Sequence, residues 1–288
     1  MQKQEQQPEM LRSAHPVEPH MRAQVMRELQ RIESTHDVTI LFACESGSRG
    51  WGFASPDSDY DVRFIYVNRL PWYLTVAPGR DVIEVPISGD LDINGWDLRK
   101  ALGLMRESNP TLLEWLRSPI VYREEADTMA QFRALAGQVF SNAKGWHHYA
   151  SMAKKNFREH LQADEVRYKK YLYVLRPLLA ARWIRALPGV PPMRFAELAQ
   201  HTLDPVADAA LVAEINALLE VKMRAGESAT SPRWPGIHAF IEAELARNAA
   251  ELVQPLPVPG HAALDALLHD TVLRYDARAC EEASTCRT

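Results

Sequence analysis

Residues 47–61 read Gly-Ser-Arg-Gly-Trp-Gly-Phe-Ala-Ser-Pro-Asp-Ser-Asp-Tyr-Asp, a glycine-rich turn that ends in two alternating carboxylates, Asp59 and Asp61. In a strand, residues i and i+2 face the same way, about 6–7 Å apart along the chain. Such a pair can share divalent cations, which take oxygen ligands. The turn at Gly47, Ser48, Gly50 and Gly52 lets main-chain N–H groups come close to a phosphate. Metal-held phosphate beside a phosphate cradle is the chemistry of phosphoryl or nucleotidyl transfer.

Two strands must position these groups. The apolar run 38–44 leads into the turn and a second, 62–67, leads out, so the second strand opens on the aspartates. Two metal ions in such a site need a third carboxylate on a neighbouring strand, and Asp90, Asp92 and Asp97 are the candidates. They fall in or just after a predicted hairpin, 81–87 and 90–95, with Ser88-Gly89-Asp90 as its turn. Asp97 sits at the start of a predicted helix that buries Leu98, Ala101, Leu102 and Met105, where its charge suits the helix dipole. Asn109-Pro110 stops that helix, and a short one follows with Leu112, Leu113 and Leu116.

Upstream, Met21, Val25, Met26, Leu29 and Ile32 keep helical spacing over 19–36, whereas residues 1–18 are polar, without periodicity, and are expected to be disordered. From about residue 125 the pattern is almost wholly helical: 125–143, 145–162, 164–186, 194–201, 205–225 and 234–252, with a last helix over 261–275. Pro-rich breaks at 188–192, 232–235 and 255–259 separate several of these. The expected organisation is a catalytic domain over 19–125, a helical domain over 126–275 and a polar tail over 276–288.

Composition narrows the class. An apolar content of 47% with 24% charged residues is that of a globular domain with a sizeable core. The net charge of −4 argues against a dedicated nucleic-acid coat protein, while leaving room for local basic patches. Cys44, Cys280 and Cys286 offer neither a disulfide framework nor paired metal-ligand spacing. No apolar stretch approaches a membrane span and residues 1–8 lack a secretory core, so a cytoplasmic protein without membrane partners is expected.

Apolar strand, Gly-Ser, about ten residues and Asp-x-Asp together resemble the signature of the DNA polymerase β-type nucleotidyltransferase superfamily. A longer likeness, over roughly 38–185, is to a bacterial and phage family of predicted nucleotidyltransferases. It is carried by Glu45-Ser46-Gly47-Ser48-Arg49-Gly50, Ser58-Asp59-Tyr60-Asp61, Asp92 followed by Leu98-Arg99-Lys100, Asn109-Pro110 with Leu113-Glu114-Trp115-Leu116, and residues 169–180, Lys-Lys-Tyr-Leu-Tyr-Val-Leu-Arg-Pro-Leu-Leu-Ala.

The resemblance implies an α+β fold: a mixed sheet flanked by helices, followed by a mainly helical C-terminal half. It also implies Mg²⁺ or Mn²⁺ as cofactor, two ions, held by Asp59, Asp61 and a late acid. The family pattern favours Asp92 for that acid, with Asp97 as the alternative. Gly47, Ser48 and Arg49 are then expected at the nucleotide phosphates, although Arg49 could equally pair with a nearby acid such as Asp57. Trp51, between two glycines, reads more readily as a packed side chain than as a base-stacking surface.

A second cluster lies on the predicted helix 164–186. Residues 150–185 hold nine Lys or Arg against three acids, a local +6, and Lys169, Tyr173 and Arg176 share one helical face. A charged run opposite an apolar face is ordinarily a solvated surface. The interleaved aromatics and the resemblance favour a triphosphate clamp of Lys169, Lys170, Tyr173 and Arg176.

The expected activity is transfer of a nucleoside monophosphate from an NTP to an acceptor hydroxyl, with release of pyrophosphate. An RNA or tRNA 3′ end is favoured over a protein side chain or small molecule, because the basic segment could follow a backbone. The alternative from another class is a non-catalytic, antitoxin-like binding partner, which loss of a metal carboxylate would favour.

Overall fold

The computed structural model describes residues 10, 15–224, 229–250, 253–255, 257 and 260–285. In chain order the elements are α1 (Pro19–His36), β1 (Thr39–Glu45), α2 (Gly47–Trp51), β2 (Tyr60–Val67), α3 (Leu70–Tyr73), β3 (Val82–Glu84), β4 (Leu91–Asp97), α4 (Leu98–Arg106), α5 (Pro110–Leu116), β5 (Val121–Glu124) and α6 (Ala126–Val139). There follow α7 (Asn142–His160), β6 (Glu165–Arg167), α8 (Tyr168–Ala186), α9 (Phe195–Thr202), α10 (Ala209–Arg224), β7 (Thr230–Pro232), α11 (Pro235–Ala250) and α12 (Ala262–Thr285). No helix among the described residues is long and apolar enough to cross a membrane.

The chain divides into two compact units. One, the sheet unit, comprises Val17–Gly47, Asp59–Phe140 and Pro257–Thr288; the other, the helical unit, comprises Met1–Pro16, Ser48–Ser58 and Ser141–Leu256. The linear division read from the sequence at 125/126 therefore differs from the contact units, which place the Ser48–Ser58 segment with the helices.

In the sheet unit the described strands run in the order β3-β4-β2-β1-β5. The β2–β4 pair is parallel, and every other pair in the sheet is antiparallel. Val25, Leu29 and Ile32 recur on one face of α1 and pack with Ile40, Ala43, Val62, Phe64 and Ile93 in one apolar cluster. Each of the larger side chains, fully buried, contributes about 1.5–3 kcal/mol. Pro19 starts α1 within its first turn, where its missing N–H is harmless, and Asp37 ends it in the left-handed region. β4 alternates buried and half-buried residues along its whole length. Gly95 lies opposite Phe64, and a Cβ there would meet the Phe64 ring at 2.3 Å, so only glycine lets β4 close on β2 at that point.

In the helical unit α8 contacts α7, α9, α10 and α11. Its residues from Tyr171 to Ala181 are buried except Tyr173, so α8 is a core helix without a broad solvated face. β6 and β7 form a small antiparallel sheet, Val166 opposite Ser231.

Most elements follow the sequence pattern. The expected hairpin is present as β3 and β4, with Gly89 at φ +59° in its turn and an isolated bridge from Ser88 to Leu91. Several pieces differ. Residues 47–51 close into a short helix rather than an open turn; β5 was not marked by any periodicity; and 165–167 form a strand where helix was expected. Both strands are fixed by partners far along the chain, β1 for β5 and β7 for β6. The tail expected over 1–18 lies mostly outside the described residues, and α12 carries helix through Thr285 where a polar tail was expected from 276.

Candidate active site

The sheet unit builds its charged centre from register. Asp61 of β2 and Asp92 of β4 are direct partners in the parallel ladder, so their side chains leave the same face side by side. On β2 the half-buried residues are Asp61 and Arg63, while Tyr60, Val62 and Phe64 are buried on the other face. Asp59 precedes β2 by one residue and is exposed. The carboxylates of Asp61 and Asp92 keep 27% and 32% of their side-chain surface. Both side chains lie against protein while keeping part of their surface open to solvent.

Asp61 is pinned at every level. Its N–H donates to Glu45 Oε1 (2.8 Å) and its carbonyl accepts from Ser46 N–H (2.8 Å). Glu45 is fully buried, its other oxygen accepts from the Tyr122 hydroxyl, and its carbonyl accepts from Ser118 Oγ at 2.6 Å. Burial, followed by the charge of Glu45, pushes the Tyr122 phenol well up, so it stays a donor to that carboxylate. Gly47 covers the Asp61 carboxylate: a Cβ at 47 would lie 1.9 Å from Oδ2, and Gly47 has φ +57°. Glycine is required there for both reasons.

Asp97 belongs to a different structure. It lies five positions after Asp92, an odd step that puts it on the opposite face of β4, where it is fully buried. Its Oδ1 caps α4 by accepting from Arg99 N–H (2.8 Å), and its Oδ2 accepts from Asn68 Nδ2 (2.9 Å) and Tyr73 Oη (2.6 Å). Burial raises its pKa, with the bonds from Tyr73, Asn68 and the Arg99 N–H pulling it back. Asp90 is an exposed turn residue whose carbonyl accepts from Tyr60 N–H at 2.7 Å.

Divalent ions fit the donor set of Asp61 and Asp92: two adjacent carboxylates of hard oxygen, with a cation, the Arg63 guanidinium, already spanning them. Among the described residues no three of His, Cys, Asp and Glu converge on one metal-sized point. Mg²⁺ tolerates that, since it is commonly bound by one or two carboxylates plus waters and substrate phosphates.

The other candidate residues lie in the helical unit. Arg49 is buried, with Nη2 donating to the Ser58 carbonyl (2.8 Å) and Nη1 to that of His15 (3.3 Å). It ties its own segment together, and the Ser48 carbonyl closes the turn by accepting from the N–H groups of Gly52 and Phe53. Trp51 packs as expected of a core side chain, edge-on to Tyr173 (5.6 Å) and beside Phe53 (5.7 Å). Arg176 is buried with its guanidinium 4.6 Å from the Trp51 ring centre, a cation–π contact, and Nε donating to the Met193 carbonyl. The shared face of 169, 173 and 176 therefore runs from half-buried Lys169 and Tyr173 into the interior at Arg176. Lys170 lies 3.1 Å from His160 Nε2 and 5.4 Å from the Tyr173 ring; burial, then Lys169 and Arg167, lower its pKa.

The +6 counted along 150–185 is partly offset in space. Arg182 and Arg185 both reach the buried Glu244, at 3.6 and 2.8 Å, and Arg182 also lies 3.9 Å from Asp208. Lys154, Lys155, Arg158 and Arg167 stay exposed. Sequence reasoning missed Arg63 and Tyr122; the i+2 spacing of Arg63 from Asp61 was a usable signal, whereas nothing local marks Tyr122.

The family described as "RlaP: RNA repair pathway DNA polymerase beta family" matches residues 21–270. The uncharacterized protein YcgL of Bacillus subtilis (strain 168) is 49% identical over 227 residues, 79% of this chain and 86% of that protein. A solved nucleotidyltransferase-like protein from Exiguobacterium sibiricum 255-15 aligns over 86% of this chain and 76% of its own, at 14% identity and a TM-score of 0.27.

Proposed function

We propose a function for a chain that belongs to the RlaP family, the RNA repair pathway DNA polymerase beta family: it transfers a nucleoside monophosphate from an NTP to a hydroxyl at an RNA end. The acceptor oxygen forms a bond to the α-phosphorus, the bond from that phosphorus to the bridging oxygen breaks, and pyrophosphate leaves. The observation that carries this reading is the register pairing of Asp61 with Asp92 on parallel strands, with Asp59 two residues before Asp61. Asp59, Asp61 and Asp92 would hold Mg²⁺ or Mn²⁺, which supplies charge neutralisation on the phosphates. Asp92 is assigned to the attacking hydroxyl, whose proton it would accept as the bond to phosphorus forms.

RNA as acceptor is supported by the family's description and by the exposed bases Lys154, Lys155, Arg158 and Arg167 in an otherwise acidic chain. Ser48, Lys169 and Lys170 are assigned to nucleotide phosphates. Arg49, Tyr173 and Arg176 would act through the shape of the segment they hold, Arg49 by its bonds to the carbonyls of His15 and Ser58, and Tyr173 and Arg176 by packing on Trp51.

The test is turnover of each α-labelled NTP with Mg²⁺ or Mn²⁺, offered pooled cellular RNA and protein, beside an Asp59→Ala/Asp61→Ala double variant. Label in RNA with wild type alone supports the reading. Label in protein moves the acceptor, and no transfer by a protein that still binds Mn²⁺ would point to a non-catalytic binding partner.

A further inference from the structure

Arg63 lies on the Asp61 face of β2 with only 15% of its side chain exposed. Its Nη2 donates to Asp61 Oδ1 (3.0 Å) and to Asp92 Oδ2 (2.7 Å). Nη1 donates to the main-chain carbonyls of Val62 and Asp92, both at 3.0 Å. Two carbonyls on adjacent strands thus fix the plane of the guanidinium, and its other nitrogen bridges the two carboxylates. This is the rigid fork geometry that distinguishes arginine from lysine, and it differs from a loose surface pair.

Two carboxylates held side by side repel unless a cation lies between them. A divalent ion shared by Asp61 and Asp92 needs the same negative charge that Nη2 now engages. The Nη1 anchors involve only carbonyls, so they can persist when the Nη2 contacts are released.

We propose that Arg63 is the site's internal counter-cation, a positioning residue that holds Asp61 and Asp92 in register without metal and yields its Nη2 contacts when a divalent ion binds. It therefore raises the ion concentration needed to load the site. An ion arriving with nucleotide phosphates as extra ligands competes better than the bare ion, so loading is biased toward the metal–nucleotide complex. This inference rests on the reading of Asp61 and Asp92 as metal ligands.

The decisive experiment follows the Arg63 side-chain nitrogen signals of the full-length wild-type protein, labelled with ¹⁵N-arginine, during a Mg²⁺ titration. Bound at four points, the guanidinium should rotate slowly; saturation with Mg²⁺ should speed rotation and shift the Nη signals. In parallel, Mn²⁺ affinity is measured for wild type, Arg63→Gln and Asp92→Asn. Removal of the competing cation should tighten Mn²⁺ binding by Arg63→Gln on the order of tenfold, and the gain should shrink when NTP is present. Arg63 signals that stay unchanged at saturating Mg²⁺ would overturn the proposal, as would equal or weaker Mn²⁺ binding by a folded Arg63→Gln protein. If that variant does not fold, the wild-type titration decides alone. Equal Mn²⁺ binding by wild type and Asp92→Asn would instead sink the metal-ligand reading itself, a result separable from failure of the Arg63 role.

Discussion

The strand pair β2–β4 and the helix α8 carry the two charge clusters that stand out along the chain, and different things fix their geometry. On the strands, a period of two and a hydrogen-bonded register place Asp61 beside Asp92. On α8, positions 169, 173 and 176 share a face by helical period, yet Trp51 buries one end of that face and Glu244 takes up two arginines counted in its charge. Spacing decides function on a ladder; on a core helix the packing partners do.

That contrast can be broken by substitution. The largest effect is expected on the ladder: Asp61→Ala or Asp92→Asn should lower turnover by about 10²–10³-fold or more, with circular dichroism and melting little changed. Retained activity in either would dissolve the site. Next comes Gly47→Ala, which sets a methyl against the Asp61 carboxylate in a left-handed backbone. Strain of about 1–3 kcal/mol is expected, together with loss of Mn²⁺ binding in a calorimetric titration.

On α8 the effects should be smaller and should separate by burial. Lys169→Ala/Lys170→Ala should weaken NTP binding about tenfold or less, a loss of roughly 1 kcal/mol that shrinks at high salt. Arg185→Ala should leave NTP affinity unchanged and lower stability, because it removes the nearest of the arginines that pair with the buried Glu244. If affinity followed Arg185 instead, the charge count along the sequence would be the better guide after all.

The smallest effect on turnover concerns Asp97, and it is legible through pH. Its folded pKa is raised, so its contribution to stability is full below the unfolded value and is lost as pH rises through the raised one. The stability of Asp97→Asn relative to wild type should therefore improve as pH rises from the ordinary carboxylate range through the raised value, read as a difference in denaturation midpoints, while turnover per folded molecule stays near wild type.

What could be read from the sequence follows the same division. The hairpin and α4 are encoded locally, by period, turn residues and caps, and they appear where expected, whereas the Gly-Ser segment closes into α2 and Asp59 stands just before β2. The face of Asp92 was also available, since an odd step from 92 to 97 puts Asp97 opposite it on a strand; the cap on Arg99 N–H explains why an acid stands there. The bracing of Asp61 by Glu45 and Tyr122 was not legible, because Tyr122 reaches Glu45 from a strand 77 residues further on. Nor was the interior placement of Arg176, which depends on Trp51 packing against α8.

The position of β2 within its sheet has a consequence for how the molecule opens. β3 is three residues long and β5 four, and they form the two borders of the sheet, whereas β2 has a bonded neighbour along both sides. Thermal fraying starts at borders, where few main-chain bonds must break. Amide hydrogens around Asp61 should accordingly exchange with solvent far more slowly than those of Val82 to Glu84, and the two carboxylates should stay aligned through every opening short of collapse of the sheet.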